Sequence, residues 1–206
     1  MGTPRHSDHA PCSGIRGFLD NTSLSSLGRN QAQRGCTRCG VNLIIGLLSN
    51  DPALFPKVEA ALERAFGKID LRSEAEDFTH TDYYTAEMGE GLKRKFLSFK
   101  KLFRLENIYK VKITTNRIEQ RFARAGRRTV NIDPGYIDHS KLVLFSTKDY
   151  SHRIYLRKGI FAEVTLFYKD RRFDAWPWTY PDYKTKSYIA VFDAIRERYR
   201  QKMKGA

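Results

Sequence analysis

The strongest structural signal in the sequence is the apolar run VNLIIGLLS at residues 41–49. A continuous apolar stretch of this length, bounded by polar residues, is typical of a central β-strand that is buried on both faces. The tripeptide Asn-Asp-Pro at residues 50–52 then gives a helix start signal, and apolar residues recur at helical spacing up to Phe66 before Gly67. We therefore predict a buried strand followed by an amphipathic helix.

Downstream of this unit, helix and strand patterns are mixed. Residues 92–103 fit both periodicities, and we favour a strand. Helices are predicted near residues 53–66, 105–125 and 184–203. Extended segments are predicted at residues 68–78, 81–88, 128–132, 141–147, 152–156, 160–168 and 172–176, the last five as a meander. Residues 41–206 are thus expected to form a single α+β domain with a mixed, largely antiparallel sheet and about three helices.

The segment upstream of the strand, residues 1–40, differs in composition from the domain. It holds 6 of the 14 glycines, 8 serines or threonines and one of the 26 aromatic residues. Such a segment has too little apolar surface to offset the entropy of ordering, so we predict a disordered basic extension. Two alternatives stay open: the native product begins near residue 41, or two residue pairs bind zinc. Those pairs are His9 with Cys12 and Cys36 with Cys39.

The overall composition limits the class of protein. Hydrophobic residues make up 41% and charged residues 29% of 206, which is typical of a globular chain. No apolar run approaches 18 residues, so no membrane association is expected. All three cysteines precede Val41, and with no recognisable export signal we expect a cytoplasmic protein. The net charge of +14 favours anionic partners.

Several catalytic motifs are absent from the sequence. It contains no phosphate loop of the GxxxxGK[ST] type, no GxGxxG, no HExxH and no GxSxG. These absences exclude the enzyme classes in which those motifs are obligatory. The adjacent Lys148 and Asp149 lack the spacer that a guanine-reading loop needs.

The densest polar cluster lies in the predicted meander. Asp133 ends a β-type run before a Pro-Gly pair, His152 begins another strand, and Glu163 interrupts an otherwise apolar strand. Because short turns connect these strands, we expect the three side chains to converge as a catalytic group, with Lys141 and Arg153 binding an anionic substrate. The alternative is a structural pairing of Glu163 with an arginine.

A second candidate cluster comes from the middle of the chain. It comprises Tyr84, Glu87 and Arg94 together with Asn116 and Glu119, which share one face of the predicted long helix. We expect these residues either to bind ligand in the pocket of Asp133 or to hydrogen-bond one another structurally.

A third feature is electrostatic. Residues 91–112 contain eight basic residues against one acidic residue, with four aromatic residues interleaved. Phosphate contacts combined with base stacking would suit RNA binding, and the alternative is a solvated basic edge whose aromatics face the core. The cations assigned to RNA are Lys93, Lys100, Lys101 and Arg104.

Several short motifs together resemble one family. They include NLIIGLLS at 42–49, DYY at 82–84, EMG at 87–89, TNRIE at 115–119, NIDPGY at 131–136, TKDYSHRIYL at 147–156 and TYPDY at 179–183. This combination is similar to an uncharacterised prokaryotic family, domain of unknown function 4416. The resemblance covers residues 41–200. Some members of the family are labelled GTP-binding, and the resemblance implies the same label here, but the motifs of this sequence do not support it.

These observations lead to two hypotheses about function. The first is a cytoplasmic enzyme or binder of a small anionic ligand, phosphorylated or nucleotide-like, with Asp133, His152 and Glu163 at its centre. The alternative is an RNA-associated protein that uses the basic-aromatic surface of residues 91–112. The sequence identifies no cofactor and no metal site in the domain.

Overall fold

The computed structural model describes residues 40–79, 81 and 84–205. In this part of the chain, nine strands form one sheet and four helices are present. The strands are β1 (Val41–Ser49), β2 (Ile69–Arg72), β3 (Glu76–Asp77), β4 (Lys93–Phe103), β5 (Asn131–Ile137), β6 (Lys141–Ser146), β7 (Ile154–Arg157), β8 (Ile160–Lys169) and β9 (Arg172–Ala175). The helices are α1 (Phe55–Phe66), α2 (Thr85–Met88), α3 (Tyr109–Phe122) and α4 (Lys186–Lys204). The extension of residues 1–39 and its candidate zinc ligands lie outside the described residues.

The sheet has the order β2-β4-β1-β5-β6-β8-β7. The short β3 pairs with β4, and β9 pairs with β8. Every pairing between these strands is antiparallel. The predicted single α+β domain with its largely antiparallel sheet is confirmed, and the three predicted helices correspond to α1, α3 and α4.

The core lies on both faces of the sheet, because β1 is buried throughout. Leu43 and Ile45 pack with α1 and α3 on one face, which we call the α1/α3 face. Ile44 packs with Phe192 of α4 on the opposite face, the α4 face. Alternate residues of a strand point to opposite faces, so a wholly apolar run suits a central strand between two helical layers. No helix in the described part of the chain is both long and apolar enough to cross a membrane.

The strand β5 differs from its prediction. Sequence patterns indicated that Asp133 ends a strand before a Pro-Gly turn, but β5 continues through Pro134 and Gly135. Proline cannot donate an N–H to a sheet ladder, and Pro134 lies one residue before the pairing with β6 begins at Gly135. A Cβ on Gly135 would lie 2.2 Å from the carbonyl oxygen of Val143, so glycine permits the close approach of β6.

Two other predicted segments also differ. Residues 81–88 were expected to be extended, but α2 begins at Thr85. The predicted meander is interrupted because β6 pairs with β8, and β7 lies outside β8. The ambiguous segment of residues 92–103 is a strand, β4, as predicted.

Candidate functional site

A cavity of about 520 Å³ lies where β5 and β6 separate. The last β5–β6 pair towards this end is Gly135 with Leu144, so Asp133 and Ser146 border an opening in the sheet. The polar and aromatic lining residues are Phe78, Thr81, Tyr84, Arg94, Lys112, Arg128, Asn131, Asp133, Phe145, Ser146, Thr147, Lys148, Tyr150, Arg153, Glu163, Tyr180, Asp182 and Tyr183. The cavity therefore combines residues from β4, β5, β6, β8 and α3 with segments that precede α2, β7 and α4.

Arg94 is the most deeply buried cation of this cavity. Its side chain is 3% exposed, and its Nη1 donates to Oδ2 of Asp133 at 3.0 Å. Its Nη2 lies 3.9 Å from Oδ2 of Asp182. The guanidinium passes over Gly46 of β1, where a Cβ would lie 3.1 Å from Nη1. The absence of a side chain at Gly46 thus leaves room for the ion pair.

The charges of Arg94 and Asp133 stabilise each other. Burial is the largest influence and opposes both charges, but the acidic groups of Asp133, Tyr183 and Asp182 together outweigh it and raise the pKa of Arg94 above its ordinary value. Burial likewise opposes ionisation of Asp133, yet Arg94 and Lys112 bring the pKa of its carboxyl below the ordinary value. Asn131 Nδ2 also donates to Oδ2 of Asp133 at 2.7 Å. Asp133 is therefore an ionised ion-pair partner of Arg94 and a weak base.

A hydrogen-bonded chain extends from Asp133 towards α2. The Oδ1 of Asn131 accepts from Nη1 of Arg128 at 2.9 Å. Arg128 in turn forms a two-pronged ion pair with Glu87, at 2.7 and 2.5 Å. Hydrogen bonding to Arg128 lowers the pKa of the Glu87 carboxyl. Glu87, a predicted ligand-binding residue, therefore positions Arg128 and does not itself line the cavity.

A second polar cluster forms around Glu163, whose side chain is 2% exposed. Its Oε2 accepts from Nε of Arg153 at 2.7 Å and lies 3.2 Å from Nε2 of His152. Its Oε1 accepts from the hydroxyl of Thr165 at 3.2 Å. The structure thus brings together His152, Arg153 and Glu163, and the pairing of Glu163 with an arginine is the structural alternative considered from the sequence.

Arg153 connects Glu163 to the mouth of the cavity. Its Nη1 donates to Oγ of Ser146 at 2.8 Å and to the carbonyl of Lys148 at 3.0 Å. Its Nη2 donates to the hydroxyl of Tyr180 at 3.0 Å, and its guanidinium lies 4.7 Å from the ring centre of Tyr150. One buried cation therefore holds the loop after β6 against the segment that precedes α4.

The orientation of β8 depends on an irregularity that the sequence pattern did not reveal. Strict alternation predicted Leu166 on the face opposite Glu163. A register shift between Leu142 and Val143 leaves Thr165 as an extra residue, and Leu166 joins the core of the α4 face. The hydroxyl of Thr179 donates to the carbonyl of Thr165 at 2.6 Å, which fixes the 176–183 segment to this bulge.

Five predicted catalytic or ligand-binding residues do not line the cavity, and Glu87, described above, is one of them. Lys141 lies at the opposite end of β6, about 16 Å along the strand from Ser146, and pairs with Asp138 at 2.9 Å. Glu119 accepts from the backbone N–H of Ile132 at 2.6 Å behind β5, and burial raises the pKa of its carboxyl. The other two residues outside the lining are Asn116 and His152. The structure places Lys141 of β6 and Asn116 of α3 outside the lining of this cavity, so nothing here supports their predicted roles in ligand binding, which stay predictions.

The basic-aromatic surface expected for RNA does not form. Phe96 and Phe99 are 2% and 0% exposed, because they lie on opposite faces of β4 and each face packs in a core. Tyr109, at the start of α3, is 8% exposed. Lys93 pairs with Asp77 and Arg104 with Glu106. Lys100 and Lys101 are exposed, and the one ring left beside them in the described chain is the half-buried Phe103, whose centre lies 5.9 Å from Nζ of Lys101. This geometry corresponds to the alternative of a basic edge with inward aromatics.

Several cavity residues were missed by the sequence reasoning. Arg128, Tyr150 and Asp182 belong to segments with no periodic pattern, so no local signal assigns them to a site. Tyr180 and Asp182 lie within the TYPDY motif at 179–183, which supported only a family resemblance. Among the described residues, no group of three or more His, Cys, Asp or Glu side chains is arranged to hold a metal ion.

The described residues form a small α+β domain with a cavity at one end of its antiparallel sheet. The family model for "Domain of unknown function (DUF4416)" matches residues 39–199, and the chain belongs to that family. Searches of curated proteins and of solved structures give no match.

Proposed function

We propose that this protein binds a small anionic ligand, phosphorylated or nucleotide-like, in the cavity between β5 and β6. One observation carries the proposal: five cationic side chains from four separate segments line the cavity, against three carboxylates. The cations are Arg94, Lys112, Arg128, Lys148 and Arg153, and the carboxylates are Asp133, Asp182 and Glu163. The volume of about 520 Å³ lies within the range of small-molecule sites.

The distribution of charge supports entry of an anion. Arg94 and Arg153 lie in the interior, where Asp133 and Glu163 engage them. Lys148 is exposed and Arg128 is 34% exposed, so both can approach a ligand at the mouth. Arginine and lysine side chains are the usual protein partners of phosphate and carboxylate groups.

Aromatic side chains provide the second element of recognition. Tyr150 and Tyr180 line the mouth and are 52% and 46% exposed. Tyr84 lines the interior, where burial raises the pKa of its hydroxyl. Rings beside cations favour a ligand that combines a planar group with a negative charge.

The residues expected to be catalytic have a narrower role in this proposal. Asp133 and Glu163 are engaged by arginines, which favours positioning and charge balance over proton transfer. The predicted catalytic role of His152 stays a prediction, because its ring contacts Glu163 but does not line the cavity. The cytoplasmic location expected from the sequence belongs to the same proposal.

The test is a thermal-unfolding screen of the full chain with pyrophosphate, nucleoside monophosphates and nucleoside triphosphates. A ligand at one hundred times its Kd adds ~2.7 kcal/mol, which raises Tm by roughly 5–10 °C for a chain of this size. Lys148→Gln should weaken binding about tenfold, whereas Lys169→Gln, an exposed lysine outside the cavity, should leave it unchanged. A panel that never raises Tm, or equal losses in both variants, contradicts the proposal.

A further inference from the structure

Exposed apolar side chains are concentrated in one region of the described chain. The described residues include eight exposed large hydrophobic side chains, and seven of these fall between residues 150 and 180. We call these seven the aromatic surface: Tyr150, Ile154, Tyr155, Leu156, Trp176, Trp178 and Tyr180. The eighth, Leu105, lies outside this region. Single exposed hydrophobics are ordinary, but a contiguous group marks an interaction site.

Ring contacts make most of this surface continuous. Tyr150 stacks on His152 at 5.9 Å and 6°, and His152 stacks on Trp178 at 5.7 Å and 13°. Trp178 stacks on Trp176 at 5.2 Å and 5°. Arg153, which directly precedes β7, binds Tyr180. The stacked row therefore adjoins the edge strand.

The strand β7 forms the other part of the surface and is the last strand on the path of the sheet. All four of its residues are exposed, with Ile154 at 73% and Tyr155 at 58%. An edge strand is usually protected by proline, by charge or by a cover. In β7 the one charged residue is Arg157, at its end, and no described strand covers its outer side.

We infer that two copies of this chain associate through the aromatic surface around a two-fold axis. The seven exposed fractions add to on the order of 700 Å² per chain around the edge of the sheet, with Ile154 and Tyr155 on opposite faces of β7, against about 800 Å² per partner in stable complexes. Typical monomers leave patches of only about 300–600 Å². The register shift between Tyr155 and Arg157 interrupts the regular edge, so the contact is made by side-chain packing and not by a continuous ladder.

A second copy fits this surface better than an acidic partner does. The seven residues are uncharged, so little within the patch attracts carboxylates or phosphates. A two-fold contact is self-complementary and closes after two chains. An axis through the middle of β7 also keeps the two Arg157 side chains at opposite ends of the contact, which limits repulsion between them.

The test measures the mass of the full chain in solution by sedimentation and light scattering. We expect twice the 23.9 kDa of one chain. Ile154→Lys should weaken association at least tenfold, because it places a charge in the apolar contact. The control Leu105→Lys changes another exposed apolar residue, outside the aromatic surface, and should leave the dimer intact. Circular dichroism and thermal unfolding verify that each variant is folded, and Tyr155→Glu replaces Ile154→Lys if needed.

The salt dependence distinguishes the nature of the contact. Two chains of charge +14 repel each other, so an apolar dimer should tighten from about 50 mM to about 500 mM salt as repulsion is screened. Four results overturn the inference: a monomer at about 100 µM, a dimer that Ile154→Lys leaves unchanged, a dimer that Leu105→Lys disrupts equally, or saturable binding of an acidic protein to the surface in its place. Tyr150 and Tyr180 belong to both the aromatic surface and the cavity mouth, so ligand binding is measured separately, on the full chain and on the Ile154→Lys variant, and a failure of dimerisation leaves the proposed function to its own test.

Discussion

Arg94 reaches Asp133 across an intervening strand. Arg94 lies on β4 and Asp133 on β5, and β1 separates the two strands in the sheet. Gly46 of β1 is the register partner of both Phe96 and Asp133, so the guanidinium crosses the sheet at the one position of β1 without a side chain. The ion pair therefore depends on three strands at once.

Gly46→Ala should destabilise the protein by about 1–3 kcal/mol, because the added methyl would lie 3.1 Å from Nη1 of Arg94 and 3.3 Å from the ring of Phe96. Urea denaturation measures the change. Gly205→Ala, where a Cβ has no neighbour closer than 3.9 Å, is the control. In an Arg94→Ala background the cost of Gly46→Ala should shrink, and an unchanged cost would disprove the steric explanation.

Arg94→Leu should lower the free energy of unfolding by about 3–5 kcal/mol, because it leaves the carboxylates of Asp133 and Asp182 without their buried cation. Arg104→Leu is the matched control, since its ion pair with Glu106 is exposed and should matter by less than about 0.5 kcal/mol. Similar losses of unfolding free energy in Arg94→Leu and Arg104→Leu would show that burial of the ion pair does not determine its contribution to stability.

Acid should weaken the fold partly through Asp133. Its folded-state pKa lies below the ordinary value of 3.8, so the unfolded state binds more protons between the two values. The stabilisation is fully present above the unfolded pKa and is lost as the pH falls through the folded pKa. Asp133→Asn should flatten the stability profile below about pH 4 in denaturation series. Burial raises the pKa of Glu119, so ionisation of its carboxyl favours the unfolded state. Glu119→Gln should therefore not flatten the acid side of the stability profile.

Lys202→Met should detach the end of α4 from the sheet. The Nζ of Lys202 donates to the carbonyl of Phe99 and to Oδ2 of Asp70, each at 2.7 Å, and also to the side chain of Asn42. We expect a loss of about 2–3 kcal/mol in thermal or urea unfolding, because the carboxylate of Asp70 loses its cation. Lys204→Met, on the exposed side of the same helix, should be close to neutral.

Glu163→Leu and His152→Gln should differ sharply. The leucine leaves the guanidinium of Arg153, 4% exposed, without its carboxylate, at a cost of about 3–5 kcal/mol. Glutamine at position 152 can still donate to Glu163 from a site that is 22% exposed, so a change of about 1 kcal/mol or less is expected. Calorimetric unfolding compares the two. Equal losses would mean that His152, and not Arg153, stabilises the buried carboxylate.

Local patterns predicted the elements of the fold better than the site. Hydrophobic periodicity identified β1, α1 and α4, because burial of each depends on its own residues. The approach of His152 and Arg153 to Glu163 could be predicted, because short turns connect the strands that carry these residues. By contrast, Arg94 and Asp133 lie 39 residues apart, and their contact depends on strand order and on Gly46, neither of which has a local signal.

Asp133 was assigned to the cavity on a wrong structural basis. The Pro-Gly pair indicated a turn, but β5 continues through it, because β6 pairs only from Gly135 onward and no N–H of residue 134 is needed on that side. The misplacement of Lys141 has a related cause. A position along a strand, and not only its face, determines which end of the sheet a side chain reaches, and composition carries no information about that position.

The separation of β5 from β6 beside Pro134 has a consequence for the thermodynamics of binding. Arg94, Asp133 and Glu163 of the cavity stand on paired strands, so they occupy their places before the proposed ligand arrives. Little backbone ordering then accompanies association, and the entropic penalty that accompanies loop closure is small. Calorimetry should record a modest heat-capacity change that matches the ligand's own buried apolar area, with hydrogen exchange of the β5 amides slowed only at its end near the opening.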